Sequence, residues 1–235
     1  MTTPKFGLGV PNGGDFADPR RLAELAAAAE TSGWDGFFLW DHVIRRRPWQ
    51  PMVDPWVSLA AVAVATDRIV LGPRVTPLAR RRVSVVARQS VTLDRLCDGR
   101  LRLGVGLGAP DDEFTRFGES AEPKRRARLL DESLDALQLL WSGESVSYRG
   151  ELVTLDDVEF RPTPVNGRIP IWVAGGWPGR AVSPSCSLRR RVAGREGGRL
   201  PHRRRVRRVQ CRGPAPARHR WSIRCLLRRP QRRSG

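Results

Sequence analysis

Short apolar runs alternate with amphipathic segments along the first 180 residues, and this alternation constrains the fold more than any other feature of the sequence. The apolar runs begin near residues 5, 36, 69, 101 and 169. Strand and helix patterns that alternate in this way are typical of α/β proteins, whose right-handed crossovers place the strands in a parallel sheet. We therefore predict an α/β fold with five parallel strands. The pattern alone leaves open whether the sheet closes into a barrel.

The helices between these strands have recognisable starts. Asp18 and Asp54 are each followed by a proline, which predicts an N-cap with proline at the first helical position. Apolar residues at helical spacing predict further helices over residues 83–96 and 123–141. After them, VSYRGELVTLDDVEF alternates apolar and polar residues around a Gly, which predicts an exposed antiparallel hairpin inserted before the fifth strand.

The composition changes abruptly after Arg180. Residues 181–235 hold 18 of the arginines and one acidic residue, Glu196, whereas residues 1–180 hold 24 basic and 23 acidic residues. A segment with so much like charge and so few apolar side chains cannot form a core. We therefore predict one domain at residues 1–180 and a disordered basic tail at 181–235. Its composition is typical of a GC-rich coding sequence translated out of frame, which favours a frameshift or truncation.

The charges and the cysteines limit the partners and the location. An arginine-rich tail predicts at most nonspecific, salt-dependent binding to nucleic acid. Its cysteines and histidines show neither CxxC nor HxxxH spacing, so we predict no metal site. No apolar run reaches the roughly 20 residues of a membrane helix, and the N-terminus lacks a secretion-signal pattern. With Cys97 as the single cysteine of residues 1–180, we predict a cytoplasmic protein without a membrane partner.

Chemically versatile residues stand at the predicted strand ends, where parallel α/β proteins build their sites. Asp41 and His42 end the second strand, and His42 is the single histidine of residues 1–180. An imidazole exchanges a proton near neutral pH, and an adjacent carboxylate can hold its orientation. The pair is a candidate acid–base site, and the alternative is an ordinary surface or capping histidine.

Small residues mark the ends of the fourth and fifth predicted strands. Gly104, Gly106 and Gly108, together with Ala109, give a loose GxGxxA match, but the three acidic residues that follow oppose a pyrophosphate there and disfavour a Rossmann interpretation. We interpret these glycines either as room for a flat ligand or as a tight turn. Ala174, Gly175 and Gly176 predict either an anion-binding nest or an ordinary turn.

Two segments rich in arginine and tryptophan follow the second and third predicted strands. The run Arg80, Arg81 and Arg82 is predicted to be a solvated cationic patch, with a phosphate contact as the alternative. The loop RRRPWQPMVDPW is predicted either to line the binding site of a planar substrate or to cap the barrel, which leaves Trp49 and Trp56 ambiguous.

Five ordered stretches of this sequence resemble the bacterial-luciferase-like flavin-dependent oxidoreductases. They are GWDGFFLWDH, DPWVSLAAVAVATDRIVLGPRVTPLARRR, TLDRLCDGRLRLGVGLG, LDESLDALQLLWSGESVSYRGE and RPTPVNGRIPIWVAGGWP, and the resemblance runs from about Lys5 to Arg180. It implies the TIM-type (β/α)8 barrel, of which this chain would hold a partial barrel of about five βα units plus the hairpin. Family members are often dimeric, which the resemblance extends to this chain as an expectation.

The resemblance also implies a cofactor and roles for the strand-end residues. The cofactor would be FMN or the deazaflavin coenzyme F420, with Asp41 and His42 as catalytic residues beside its ring. At Arg74 and Val75, many members have a non-proline cis peptide that supports the ring. The implied cofactor-binding residues are Arg74, Val75, Gly106, Gly108, Ala174, Gly175 and Gly176.

The implied function is oxidation or reduction of a small organic substrate, by monooxygenation with FMN or by hydride transfer with F420. The sequence does not choose between the two. Two alternatives stay open at this point: an inactive fragment of the family, and a basic tail that binds nucleic acid nonspecifically.

Overall fold

The computed structural model describes residues 5–45, 49–174 and 221–225, in which strands and helices alternate as predicted. The strands are β1 (Lys5–Val10), β2 (Gly36–Leu39), β3 (Val70–Pro73), β4 (Thr76–Pro77), β5 (Leu103–Gly106), β6 (Ser145–Arg149), β7 (Thr154–Glu159), β8 (Ile171–Val173) and β9 (Trp221–Cys225). The helices are α1 (Pro19–Thr31), α2 (Pro55–Val64), α3 (Val83–Leu96), α4 (Asp112–Thr115) and α5 (Pro123–Leu140), with 3-10 turns at Gly14–Phe16 and Leu78–Arg80.

The parallel strands form one curved, open succession rather than a closed barrel within the described residues. One sheet has the order β3-β2-β1-β9 and a second has the order β4-β5-β8, and a parallel bridge between Leu71 and Leu101 links them. The rings of Phe38 on β2 and Trp172 on β8 lie 5.3 Å apart, although other strands separate β2 from β8. Side chains meet across the inner face only if the sheet curves, so the predicted α/β partial barrel is confirmed.

The opposite face of the sheet packs against the helices. Phe37, Leu71 and Leu103 are fully buried in a core that also contains the apolar faces of α1, α2, α3 and α5. Strands covered on both faces are typically continuous apolar runs, which is why β1, β2 and β5 lack alternation. No helix in the described part of the chain is long and apolar enough to span a membrane.

The helix starts agree with the sequence. The Asp18 carboxylate accepts a hydrogen bond from the backbone N–H of Arg20 (2.9 Å), and that of Asp54 accepts from Val57 N–H (2.9 Å). Each cap satisfies one of the N–H groups that have no partner in the first helical turn. The hairpin of β6 and β7 is antiparallel, as predicted, and its register shifts between Val146 and Tyr148.

One part of the basic segment differs from the expectation. Residues 181–235 were expected to be disordered, but residues 221–225 form β9, which pairs in parallel with β1 from Lys5↔Trp221 to Gly9↔Cys225. An edge strand has unpaired backbone N–H and C=O groups, and a further strand satisfies them whatever its charge. The expectation therefore does not hold for these five residues, and the rest of that segment lies outside the described residues.

Candidate active site

The carboxyl ends of five parallel strands meet at one edge of the sheet. The backbone N–H of Arg74, after β3, donates to the carbonyl of Leu39 at the end of β2 (2.6 Å). Thr76 and Pro77 of β4 pair with Val105 and Gly106 of β5. The N–H of Ala174, after β8, donates to the carbonyl of Val105 (2.8 Å). The strand ends predicted to carry the chemistry are therefore neighbours in space.

His42 forms its side-chain hydrogen bond with Glu113 of α4, not with Asp41. The distance from Nδ1 of His42 to Oε1 of Glu113 is 2.7 Å, and the Glu113 side chain is fully buried whereas that of His42 is 25% exposed. Among the described residues, Nε2 of His42 has no hydrogen-bond partner. An imidazole fixed at one nitrogen and open at the other is arranged to accept or donate a proton at the open one.

Asp41 accepts hydrogen bonds from three other side chains. Its carboxylate accepts from the hydroxyl of Thr76 (2.8 Å) and from the guanidinium groups of Arg80 (3.1 Å) and Arg81 (3.0 Å). The side chain is 1% exposed. A carboxylate with this many donors is fully committed to them, so Asp41 fixes the end of β2 rather than orienting the imidazole.

Arg80 joins the two carboxylates. One of its terminal nitrogens lies 2.5 Å from Oε2 of Glu113, and the other donates to the backbone carbonyl (2.6 Å) and carboxylate of Asp41. Its side chain is 6% exposed and that of Arg81 is 17% exposed. The prediction that these two arginines form a solvated patch is therefore wrong, because two buried carboxylates beneath them require counter-charges. Arg82 alone of the three is exposed.

Asn12 fixes the backbone of His42 from the end of β1. Its amide nitrogen donates to the carbonyls of His42 and Val53, both at 2.8 Å, and its amide oxygen accepts from the His42 N–H (3.2 Å). The side chain is fully buried. One residue thus ties together the two ends of the loop that carries Trp49.

The bulge after β3 lies between the ends of β2 and β5. The Arg74–Val75 peptide bond is cis, as the resemblance implies. A Cβ built on Gly106 would lie 3.0 Å from the Val75 side chain and within 3.6 Å of Ala174. Glycine at this position therefore lets the bulge and the end of β8 approach the end of β5.

Gly108 has a related but different reason to be glycine. Its φ is +83°, and an added Cβ would lie 2.8 Å from Pro77 and 2.9 Å from the Phe114 ring. The turn it makes directs the chain into α4 and so places Glu113 against His42. Gly175 and Gly176 lie outside the described residues.

Sequence reasoning missed Glu113 and Asn12 as site residues. Glu113 was considered only as one of three acidic residues unfavourable to phosphate, yet it is directly followed by the buried Phe114, a pattern that would have indicated an inward-facing turn. Asn12 lies two residues after the apolar strand β1, where a polar residue is a reasonable candidate for the site. Within the described residues, no group of three His, Cys, Asp or Glu side chains is arranged to hold a metal ion.

The chain resembles known proteins over most of its described length. The family model described as luciferase-like monooxygenase matches residues 1–182. The F420-dependent glucose-6-phosphate dehydrogenase of Nakamurella multipartita is 34% identical over 185 residues, which are 76% of this chain and 53% of that protein. The chain thus spans about half the length of the relatives it matches.

Two solved structures superpose on the same part of the chain. An F420-dependent secondary alcohol dehydrogenase in complex with an F420–acetone adduct has a TM-score of 0.65 at 24% identity, over 74% of this chain and 53% of that one. The monooxygenase RslO1 from Streptomyces bottropensis has a TM-score of 0.62 at 28% identity, over 72% and 53% of the two chains.

Proposed function

The chain belongs to the luciferase-like monooxygenase family, and on that premise we propose that it works as a coenzyme F420-dependent oxidoreductase on a small organic substrate. The observation that carries this proposal is the pair His42 and Glu113, 2.7 Å apart, which follows the strand end to which Arg74 of the bulge is hydrogen-bonded. The 34% identical relative is named as F420-dependent, which favours F420 over FMN.

The residues around the bulge suit a flat ring. Val75, Gly106 and Ala174 come from three strand ends and bring no bulky side chain to their meeting point. His42 follows the strand to which the bulge is hydrogen-bonded, so a ring resting on the bulge would have the imidazole nearby. Arg74, Val75, Gly106 and Gly108 would hold the ring side of the cofactor, and Ala174, Gly175 and Gly176 its phosphate.

A bound deazaflavin would supply hydride exchange with the substrate. The chain's own contribution is the proton. The Glu113 carboxylate, which also accepts from Arg80, would accept the hydrogen on Nδ1 of His42 and so favour the tautomer whose Nε2 lone pair is free. In the oxidation of an alcohol, Nε2 would take the hydroxyl proton, the C=O bond would form, and the C–H hydrogen would leave with its electron pair as the hydride that a bound deazaflavin accepts.

Asp41 acts in this proposal as a positioning residue. Its bonds to Thr76, Arg80 and Arg81 connect the ends of β2 and β4 with the turn before α3. Because Arg80 also reaches Glu113, movement of Asp41 would be transmitted to the partner of His42. We therefore assign proton transfer to His42 and geometric support to Asp41.

FMN-dependent monooxygenation is the second candidate function. The family description and the 28% identical monooxygenase favour it. The two candidates share the same residues and differ in the cofactor, so a binding measurement separates them.

The test is titration of the full chain with F420 and, separately, with FMN, followed by absorbance and fluorescence. We expect saturable binding of F420 and binding of FMN at least about tenfold weaker, a difference of roughly 1.4 kcal/mol. Tighter binding of FMN would select the monooxygenase candidate. If neither cofactor binds, the proposal is wrong for this chain, and the result supports the interpretation of the chain as an inactive fragment of the family.

A matched pair of glycine variants tests the placement of the ring. Gly106→Ala puts a methyl group 3.0 Å from Val75 and is expected to weaken F420 binding about tenfold by displacing the bulge. Gly167→Ala introduces an alanine at a φ of +68° with open space around it, so it should cost stability but leave F420 affinity unchanged. Equal effects of the two variants on F420 affinity would contradict the proposed location.

A further inference from the structure

Three exposed apolar side chains lie on the segments that follow β2 and α4, the two elements that bring His42 and Glu113 together. Val43 is 41% exposed, Trp49 is 55% exposed and Phe117 is 54% exposed. Val43 and Trp49 belong to the loop after β2, and Phe117 follows α4, the helix that carries Glu113. Grouped apolar side chains on a protein surface commonly mark a ligand-binding groove. We call Val43, Trp49 and Phe117 the apolar rim.

Two contacts hold the loops of the apolar rim against each other. His42 and Glu113 form the first, and the second is the Arg116 guanidinium, 5.7 Å from the centroid of the Trp49 ring. The Asn12 amide holds the start and end of the first loop. The two loops that carry the apolar rim are therefore held together at His42 itself and at Trp49.

A cationic group accompanies these apolar side chains. The Trp40 ring packs edge-on against the His42 ring at 5.6 Å, and the Arg45 guanidinium lies 5.6 Å from the centroid of the Trp40 ring. Among the residues that the structure describes, Arg45 has no carboxylate within ion-pairing distance, whereas Arg116 is paired with Asp112. Arg45 is thus a partly buried positive charge three residues after His42, without an acidic partner among the described residues.

We propose that the apolar rim and Arg45 select a substrate with a planar, apolar body and an anionic group. Trp49 and Phe117 would contact the apolar body, Arg45 would pair with the anionic group, and the reacting carbon would face Nε2 of His42. A hexose phosphate has an anionic group but no apolar body, so it leaves Trp49 and Phe117 without a partner. The inference rests on the proposed function for the reaction, but not for the binding.

The test is a binding experiment on the full chain without cofactor, by calorimetry and saturation-transfer NMR. The probes are 2-naphthoate, the neutral 2-naphthalenemethanol and glucose 6-phosphate. We expect 2-naphthoate to bind at least about tenfold more tightly than either of the others, since ring burial and ion pairing each contribute on the order of a factor of ten. Tightest binding of glucose 6-phosphate, or equal binding of the two naphthalene compounds, would overturn the proposal.

Variants separate the two contributions. Trp49→Ala and Phe117→Ala should each weaken binding of both naphthalene compounds about tenfold, whereas Arg45→Gln should weaken binding of 2-naphthoate alone. The matched control is Phe6→Ala, because Phe6 is similarly exposed, at 44%, but lies at the opposite end of β1. Native affinity in Trp49→Ala and Phe117→Ala would overturn the proposal, provided that thermal melts show a folded protein.

F420 titration of the same samples keeps the two hypotheses apart. If 2-naphthoate binds and F420 does not, the substrate inference stands while the proposed cofactor falls. If F420 binds and 2-naphthoate does not, the proposed function stands and the substrate inference is overturned.

Discussion

Asp41 and Glu113 bring two buried negative charges to within reach of one guanidinium. Arg80 contacts both carboxylates, and Arg81 and His42 each contact one of them. Breaking a buried ion pair by removal of one partner costs about 3–5 kcal/mol because the remaining charge is left without compensation. Arg80 and Arg81, which follow β4, are therefore the counter-charges of the two buried carboxylates. This explains why they turn inward although they belong to a run of three consecutive arginines.

Replacement of Glu113 by Gln is expected to change the tautomer of His42. The carboxylate accepts the hydrogen on Nδ1, whereas an amide offers both a donor and an acceptor and no longer imposes one tautomer. ¹⁵N NMR of the neutral imidazole reports which nitrogen is protonated, and His42→Gln assigns the signal. We expect one Nδ1–H form in the native chain, a mixture in Glu113→Gln, and a loss of F420-dependent turnover of about 10²-fold.

Glu119→Gln is the control for this experiment, because Glu119 is exposed and lies just after the helix that carries Glu113. It should leave both the tautomer and the turnover unchanged. An unaltered His42 spectrum in Glu113→Gln would contradict the assignment of Glu113 as the residue that orients the imidazole.

Two helices hold neighbouring loops with a single carboxylate each. Glu30 of α1 accepts from the backbone N–H groups of residues 67, 68 and 69, just before β3, at 2.6–3.1 Å. Glu132 of α5 accepts from the N–H groups of residues 151, 152 and 153 in the turn between β6 and β7. The loops themselves supply no backbone partners for these N–H groups, so the helices fix where the next strand begins.

Replacement of Glu30 by Gln should destabilise the fold in a pH-dependent way. Burial alone would raise the pKa of Glu30, but the backbone N–H groups of Ile69, Arg68 and Asp67 and the charge of Arg68 lower it below its ordinary value of 4.5. A carboxyl group with a lowered pKa stabilises the folded state above its unfolded pKa, and this contribution disappears as the pH falls through the folded pKa. We expect Glu30→Gln to cost about 1 kcal/mol at pH 7 and progressively less below pH 4.5.

Urea unfolding at several pH values measures this difference, with Glu24→Gln as the matched control. Glu24 lies on the exposed face of the same helix and should show no such pH-dependent loss. A cost for Glu30→Gln that stays constant down to the acid limit would show that the carboxylate charge is not what holds the loop.

The elements could be predicted from the sequence more fully than the contacts between them. The Asp-Pro starts, the apolar strands and the hairpin are local patterns, and each corresponds to an element in the structure. The pairing of His42 with Glu113 joins residues 71 positions apart, and no local pattern encodes which of several carboxylates the fold brings to the imidazole. Asp41 was the natural sequence candidate, and Thr76, Arg80 and Arg81 compete for it successfully.

At the scale of the whole molecule, β8 and β9 are the outermost strands of the described sheet. β9 comes from the basic segment and covers the edge of β1, so part of that segment contributes backbone pairing to the fold. The inner face between these outer strands holds Phe38 and Trp172, directly below the strand ends that carry the candidate site. The candidate site therefore depends on the curvature of the strand succession, to which the sheet β3-β2-β1-β9 and the sheet β4-β5-β8 both contribute.

The uneven charge of the whole chain predicts its behaviour toward polyanions. Residues 1–180 are almost neutral, whereas residues 181–235 hold 18 arginines against one glutamate. Binding to duplex DNA should therefore be nonspecific and fall by about 10³-fold or more between roughly 50 and 200 mM salt, as expected for six or more phosphate contacts. Fluorescence anisotropy with two unrelated duplexes of equal length measures both properties.

Changing the five arginines of RRRVRR to Gln should weaken binding and flatten the salt dependence, whereas five matched changes in the first 180 residues should not. The matched residues are Arg20, Arg21, Arg68, Arg82 and Arg125, which are all exposed. If both five-residue variants lose affinity equally, binding follows total charge, and the basic segment has no separate role in it.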